Sequence, residues 1–468
     1  MAVRLRFMGA AQNVTGSRYF LDVNESRILV DCGLYQERDL RHRNWDPFFV
    51  PPESLDAVLL THAHLDHSGL LPKLVREGFR GRVYCTAATA DIVQIVLADA
   101  AHLQEEDAEF KRRRHEREGR KGPYPEVPLY TTADAARVQP LLSPVSYEEP
   151  VQVNGHIEAT FHDVGHILGA SSISVKVSDG GRETTILFSG DVGRWDKPIL
   201  QDPTLVERAD YVLVESTYGD RTHPDQDGIA GELAEVVNST CRAGGNLLVP
   251  SFALERTQEV LYYLNHLLME DRIPHLMAFV DSPMAVSVTE VFQKHRYLFD
   301  EEMAELLRRN ESPFNFPGLK LVRSVDDSKA INHITGTAII IAGSGMCTGG
   351  RIKHHLVANI SRPESTVLFV GYQAFGTLGR TILDGAKEVR ILGKMYPVRA
   401  KVAQISGFSA HGDRDELFRW LSGFERSPKH VFVTHGEPEP AQSFATLLRE
   451  KNGWDVSVPS YKDVVALE

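Results

Sequence analysis

The segment THAHLDHSGL, residues 61–70, places His62, His64, Asp66 and His67 directly after the apolar run LDAVLL. Imidazole nitrogens and carboxylate oxygens are the ligands of hydrolytic zinc. Alternate side chains of extended backbone share a face, so His62 and His64 can reach one point. Asp66 and His67 come a turn later and can reach a second point nearby. One loop thus offers half the ligands of two metal ions. An isolated histidine is more often solvated or satisfied within a core. The HxHxDH pattern behind an apolar strand reverses that balance.

The remaining ligands must come from distant loops. His166, Asp191 and His435 each stand just past a strand-like run, in HIEATFHDVGH, ETTILFSGD and HVFVTH. A shared sheet edge would gather them. A carboxylate lying between two metals can bridge them, and Asp191 is the candidate.

The elements that must position these residues fall into two kinds. The first third of the chain reads as short strands ending in polar, Gly-containing loops: RLRF, RYFLDV, SRILVD, LDAVLLT and RVYCT. AATADIVQIVLADAAHLQEEDAEF reads as a long helix, and residues 111–120 as its exposed, charged end. KRRRHER within it is diluted by Glu105, Glu106, Asp107, Glu116 and Glu118, which favours a solvated helix face over a nucleic-acid patch. Between about 225 and 390 strands alternate with helices, as in GTAIIIAGSG before GGRIKHHLVANI. That pattern implies βαβ units on a parallel sheet, inserted into the first domain. Strands ending at His-bearing loops resume with VRAKVAQISGFSAHGD and HVFVTHGEPEP. The expected borders are 1–209, 210–395 and 396–468, the first and third forming one domain.

A chain of 468 residues exceeds one ordinary core. Its 42% hydrophobic and 24% charged content is that of a globular protein. No apolar run is long enough for a membrane span, and the N-terminus has no signal-like h-region. The four cysteines form no CxxC pair, so neither a disulfide framework nor a thiolate zinc site is expected. A cytoplasmic location and no membrane partner follow as expectations. A net charge of −12 argues against a protein that coats nucleic acid non-specifically, but not against a local basic groove.

Taken in order, Asp31 in LVDCG, THAHLDH, His166 in VGHILGASS, Asp191 in FSGDVGR, Glu215 in VESTYGDR, His411 in FSAHGD and His435 in THGEPE resemble the β-CASP branch of the metallo-β-lactamase fold. The resemblance covers nearly the whole chain. It implies an α/β fold: an αββα metallo-β-lactamase sandwich with an inserted parallel-sheet β-CASP domain. It implies two zinc ions, the first on His62, His64 and His166, the second on Asp66, His67 and His435, with Asp191 bridging. Asp31 would orient a ligand histidine or the loop.

The activity implied is zinc-dependent hydrolysis of RNA phosphodiester bonds, in RNA processing or decay, by endonuclease or 5′→3′ exonuclease action. Asp66 would orient or deprotonate the attacking water. His411, held by Glu215, would protonate the leaving oxygen. Single-stranded RNA is the expected substrate, with DNA as the alternative, and a homodimer is a further expected partner. His435 at the last motif favours RNA within the family. A thioesterase- or lactonase-type hydrolase is the rival class, although such enzymes need no insert of this size. A catalytically dead scaffold is disfavoured, since every expected ligand is present. Ser344 and Gly345 in GSGMCTGGR, with Arg351 and Arg380 beyond two Gly-rich βα turns, are the expected phosphate-binding residues.

Overall fold

The computed structural model describes every residue except 1–2, 25, 122–125, 180 and 225–227. The chain divides into two compact units, one made of 1–196, 201–222 and 411–468, the other of 197–200 and 223–410.

The first unit is built on two seven-stranded sheets. One runs in the order Val464–Leu467, Val3–Phe7, Tyr19–Val23, Ser26–Val30, Ala57–Leu59, Arg82–Thr86, Leu142–Val145. The other runs Val456–Ser457, His430–Val433, Tyr211–Val214, Arg182–Phe188, Ser171–Asp179, Ile157–Asp163, Val151–Gln152. Alternation drives the pairing. In VRLRF the valine, leucine and phenylalanine are buried, while the arginines between them are exposed or half-buried. The inward rows of both sheets join one core, in which Leu5, Phe7, Leu21, Ile28 and Val30 meet Ile157, Phe161, Ile173, Val175 and Phe188. Phe7 lies 5.2 Å, centroid to centroid, from Phe432 of the opposite sheet. Helices cover the outer faces: Ala87–Glu118 lies against Arg82–Thr86, and Pro438–Asn452 against His430–Val433. This is the αββα sandwich.

The helix Ala87–Glu118 starts at Thr86, whose side chain accepts from the Thr89 N–H, and stops at Gly119 in the left-handed region (φ 62°). Its charged end is solvated. Arg114 pairs with Glu118 at 2.8 Å, and Lys111 and Arg113 pair one turn back with Asp107 and Glu109.

The second unit carries a six-stranded parallel sheet in the order Leu319–Val322, Met277–Asp281, Ala338–Ala342, Leu247–Pro250, Thr366–Phe369, Lys401–Gln404. Ala338–Ala342, AIIIA, is buried throughout, as a strand covered on both faces must be. Helices follow the strands, for example Arg256–Met269, Pro283–Lys294 and Ile352–Asn359.

The borders differ from those expected at 209 and 396. Tyr211–Val214 pairs in parallel with Arg182–Phe188 and His430–Val433, so it is an inner strand of the sandwich. Lys401–Gln404 pairs with Thr366–Phe369 and so belongs to the second sheet. Both runs resemble strands of the other unit in composition; only their partners decide where they belong. Among the described residues no helix is long and apolar enough to cross a membrane.

Phe7→Ala would open a cavity between the sheets. A loss of about 3–5 kcal/mol is expected for such a truncation, read as a lower midpoint in denaturant unfolding.

Candidate metal centre

Nearly every chemistry-bearing side chain of the first unit leaves the end of a strand. Asp31 follows Ser26–Val30, and His62 and His64 follow Ala57–Leu59. His166 follows Ile157–Asp163, Asp191 follows Arg182–Phe188, Glu215 follows Tyr211–Val214 and His435 follows His430–Val433. Asp66 and His67 sit in the single helical turn Leu65–Ser68. The loops press together without room for side chains between them. A Cβ on Gly33 would lie 1.6 Å from the Asp66 carbonyl oxygen, and one on Gly193 would lie 2.1 Å from that of Gly165.

The side chains gather into three sets among the described residues. His62, His64, His166 and Asp191 form the first; Asp66, His67 and His435 form the second; Glu215 and His411 form a third around the shared Asp191. Zinc bonds of about 2.0–2.2 Å in a tetrahedron place neighbouring ligand atoms about 3.3–3.6 Å apart. In the first set His62 Nε2 lies 3.1 Å from His64 Nδ1, which lies 3.3 Å from His166 Nε2. Asp191 Oδ2 lies 3.4 Å from His62 Nε2 and 3.5 Å from His166 Nε2. In the second set His67 Nε2 lies 3.1 Å from His435 Nε2, which lies 3.7 Å from Asp66 Oδ2. The other oxygen of Asp191, Oδ1, lies 3.2 Å from His67 Nε2. The two carboxylate oxygens of Asp191 therefore point one to each of the first two sets. Oδ1 is buried and has no hydrogen-bond partner, an orphan acceptor that a cation would satisfy.

Asp31 governs which nitrogens face inward. Its backbone is left-handed (φ 60°) and its side chain is buried. Oδ2 accepts from His67 Nδ1 at 2.7 Å, and Oδ1 accepts from the Thr61 backbone N–H at 2.8 Å. The Thr61 hydroxyl donates to the same carboxylate and accepts from His62 Nδ1 at 3.0 Å. One buried carboxylate thus holds a proton on the outer nitrogen of two histidines and leaves both Nε2 atoms as donors to the cluster. Thr217 Oγ1, 3.2 Å from His435 Nδ1, is placed to do the same for His435. Nothing in the sequence distinguishes Thr61 and Thr217 from other threonines; only the fold brings them to the histidines.

The electrostatics follow. Burial, aided by the neighbouring histidines, pushes His62 down to about 3 and His64 down to about 4, against the pull of nearby carboxylates. Burial also holds His166 well below the usual range. For His67 burial acts the same way, but Asp191 and Asp31 outweigh it and hold the ring well above its ordinary value. Burial opposes ionisation of Asp191 too, yet the histidines around it keep its carboxyl well below the usual range. Cations binding here would replace the protons on the charged rings.

Glu215 is fully buried, and its carboxylate takes three hydrogen bonds from the protein. It accepts from the Val192 N–H at 2.8 Å, the Thr217 N–H at 3.2 Å and His411 Nδ1 at 3.1 Å. That occupancy suits a residue that orients His411 better than one that ligates a metal. The Gly412 N–H bonds to the Val192 carbonyl at 2.7 Å, fixing the His411 loop against the Asp191 loop. Burial lowers the affinity of His411 for a proton, but Glu215 and Asp191 overcome it and raise the ring to about 9. Cations on the first two sets would draw that value down.

The four expected phosphate residues lie in the second unit. Ser344 Oγ accepts from the Thr348 and Gly349 N–H groups at 3.0 and 3.3 Å and so closes its own turn. Gly345 lies under the ring of Phe252. Arg351 is bound to the buried carboxylate of Asp281 at 2.6 Å and to the Arg323 carbonyl at 2.6 Å. Breaking such a pair costs about 3–5 kcal/mol, so Arg351 is a builder of its loop rather than an open phosphate ligand. Arg380 pairs with Asp384 at 2.8 Å on the surface. That exposed, solvent-screened pair leaves Arg380 able to turn to an anion.

Comparison with known proteins accounts for this arrangement. A beta-lactamase superfamily domain matches residues 26–243, a Beta-Casp domain 257–382 and a Zn-dependent metallo-hydrolase RNA specificity domain 395–459. Ribonuclease TTHA0252 of Thermus thermophilus is 38% identical over 99% of this chain and 100% of its own. The chain belongs to the β-CASP branch of the metallo-β-lactamase superfamily. Transcription termination factor FttA of Methanosarcina mazei is 32% identical, covering 96% of this chain and 69% of its own. An RNase J-like protein of Methanocaldococcus jannaschii is 28% identical over 95% of both. A solved protein of unknown function from Enterococcus faecalis shares the fold over the full length of both chains, with a TM-score of 0.58 at 12% identity. For a β-CASP chain the paired His/Asp sets are those of a zinc-dependent metallo-hydrolase.

Thr61→Val should unlink Asp31 from His62. Zinc affinity, measured by competition with a chromophoric chelator, is expected to fall roughly 10–100-fold.

Proposed function

We propose that this β-CASP protein is a two-zinc ribonuclease that hydrolyses phosphodiester bonds of single-stranded RNA. The observation that carries the reading is the division of one buried carboxylate, Asp191, between two histidine-rich sets. His62, His64 and His166 would hold the first ion and Asp66, His67 and His435 the second, with Asp191 shared between them. Bound there, the ions supply Lewis-acid polarisation of a phosphoryl oxygen and acidify water near neutral pH. The protein's own groups do the rest. Asp31 and Thr61 keep the ligand rings in register. Asp66, held ionised by its hydrogen bond to His435 against the cost of burial, would orient the attacking water or take its proton. His411, oriented through Nδ1 by Glu215, presents its other ring nitrogen to protonate the leaving oxygen.

The match to an RNA specificity domain and the full-length ribonuclease relative support RNA over DNA. The four cysteines are free thiols, in keeping with a reducing, cytoplasmic setting. The inserted α/β unit distinguishes this chain from a small-molecule hydrolase that has the sandwich alone.

The test uses the zinc-loaded protein with single-stranded RNA labelled at either end, matching DNA, and chelator. RNA cleavage abolished by chelator is expected, and the two product ladders separate endonuclease from 5′→3′ exonuclease action. Cleavage that persists in chelator, or fast thioester turnover with none on RNA, would sink the reading. His411→Ala should retain both zinc ions by elemental analysis and lose about 10²–10⁴-fold in turnover, the usual contribution of a general acid. A variant that loses zinc instead would make His411 a ligand.

A further inference from the structure

The parallel sheet of the second unit has a topological switch between two neighbouring strands. Leu247–Pro250 connects onward to Met277–Asp281 on one side, while Thr366–Phe369 connects onward to Lys401–Gln404 on the other. Open α/β sheets bind ligands in the crevice outside the carboxyl ends of the strands at such a point. Here the loops leaving those two strands carry Phe252, Tyr372 and Phe375, which are 40%, 66% and 95% exposed. They make up half of the six exposed large aromatic side chains among the described residues. A fully exposed phenylalanine is costly to keep in water unless something covers it.

These loops are pinned rather than loose. Gln373, buried between them, donates through Nε2 to the Gly345 carbonyl at 3.0 Å and the Gly371 carbonyl at 3.1 Å. The Gly379 N–H bonds to the Met346 carbonyl at 3.0 Å. Thr257 Oγ1 donates to the Phe252 carbonyl at 2.7 Å. The ring of Phe252 rests on the bare Cα of Gly345, where an added Cβ would come within 2.9 Å of it, and a Cβ on Gly371 would come within 3.6 Å. Glycines thus clear the space beside the ring. Gly345 covers one side of the Phe252 ring, while Tyr372 and Phe375 are largely open to solvent.

We infer that Phe252, Tyr372 and Phe375 form a stacking platform for unpaired nucleobases of the RNA substrate; this rests on the ribonuclease reading above. Exposed aromatic rings on loops joined through glycine backbone and the Gln373 amide offer π-faces on which unpaired bases can stack. Aromatic rings also serve protein interfaces, but the match to an RNA specificity domain and the full-length ribonuclease relative make single-stranded RNA the occupant favoured here. Stacking accepts every base, because each has a π-face, so the platform holds single strands with little sequence preference. Arg380, one turn beyond Phe375 and only loosely paired, is placed to meet the backbone of the same strand.

The experiment uses the full-length chain in excess EDTA, which removes cleavage from the readout, and a single-stranded oligoribonucleotide containing 2-aminopurine. Quenching of the fluorophore on binding is expected, with none for the same sequence as a duplex. Phe375→Ala and Tyr372→Ala should each weaken single-strand binding about tenfold and reduce the quench. Phe375→Trp should restore both. Phe375 is exposed enough that its truncation leaves the fold intact, and a melting curve checks this. Wild-type affinity in both alanine variants, or binding without quenching, overturns the platform. So does unchanged RNA binding with loss of a dimer in light scattering, which would assign the face to a second copy of the chain. These results leave zinc-dependent cleavage by the wild-type protein untouched, so the two readings fail separately.

Discussion

The first unit is organised around an anion that cannot stand alone. Asp191 is buried, and an ionised carboxylate in a protein interior costs several kcal/mol unless it is compensated. Its compensation comes from four rings carried by three separate segments of the sandwich, with one oxygen turned to each histidine set. The loops converge so tightly that glycine is required where they touch. The proposed zinc ions would complete a charge balance that the histidines only partly achieve. Burial keeps some of those rings neutral and Asp191 with Asp31 keeps another protonated, so the cluster is poised to exchange protons for metal.

Orientation matters as much as composition. A hydrogen bond at one nitrogen of a histidine fixes which nitrogen is left to bind, and the chain Asp31–Thr61–His62, with its branch to His67, does this for two rings at once. Glu215 does the corresponding work for His411 while also tying down the Asp191 loop. These partners are backbone-anchored and buried. They therefore transmit the rigidity of the sandwich to side chains that would otherwise sample several rotamers.

Much of this was legible in the residues. HxHxDH behind an apolar strand is a local pattern, and the strand-end placement of His166, Asp191, Glu215 and His435 followed from alternation between apolar runs and Gly-containing turns. The borders of the insert were not legible. Tyr211–Val214 and Lys401–Gln404 read as strands in either unit, and partner choice is a long-range property. The basic residues were misleading for a related reason. Arg351 looks like a phosphate ligand until Asp281, seventy positions earlier, is found against it. The exposed aromatics of the second unit carried no periodic signal, because a platform is made by loops from strands distant in sequence.

The order of the proposed ligands along the chain has a consequence for biosynthesis. His62, His64, Asp66, His67, His166 and Asp191 are all translated before the long second unit, whereas His411 and His435 come only after it. A nascent chain leaving the ribosome beside messenger RNA can assemble the first histidine set early. It would lack the proposed acid, His411, and the proposed last ligand, His435, until almost all of these residues have emerged. The interruption of the sandwich by the insert thus means that the proposed centre would stay incomplete until the residues beyond the insert have been made.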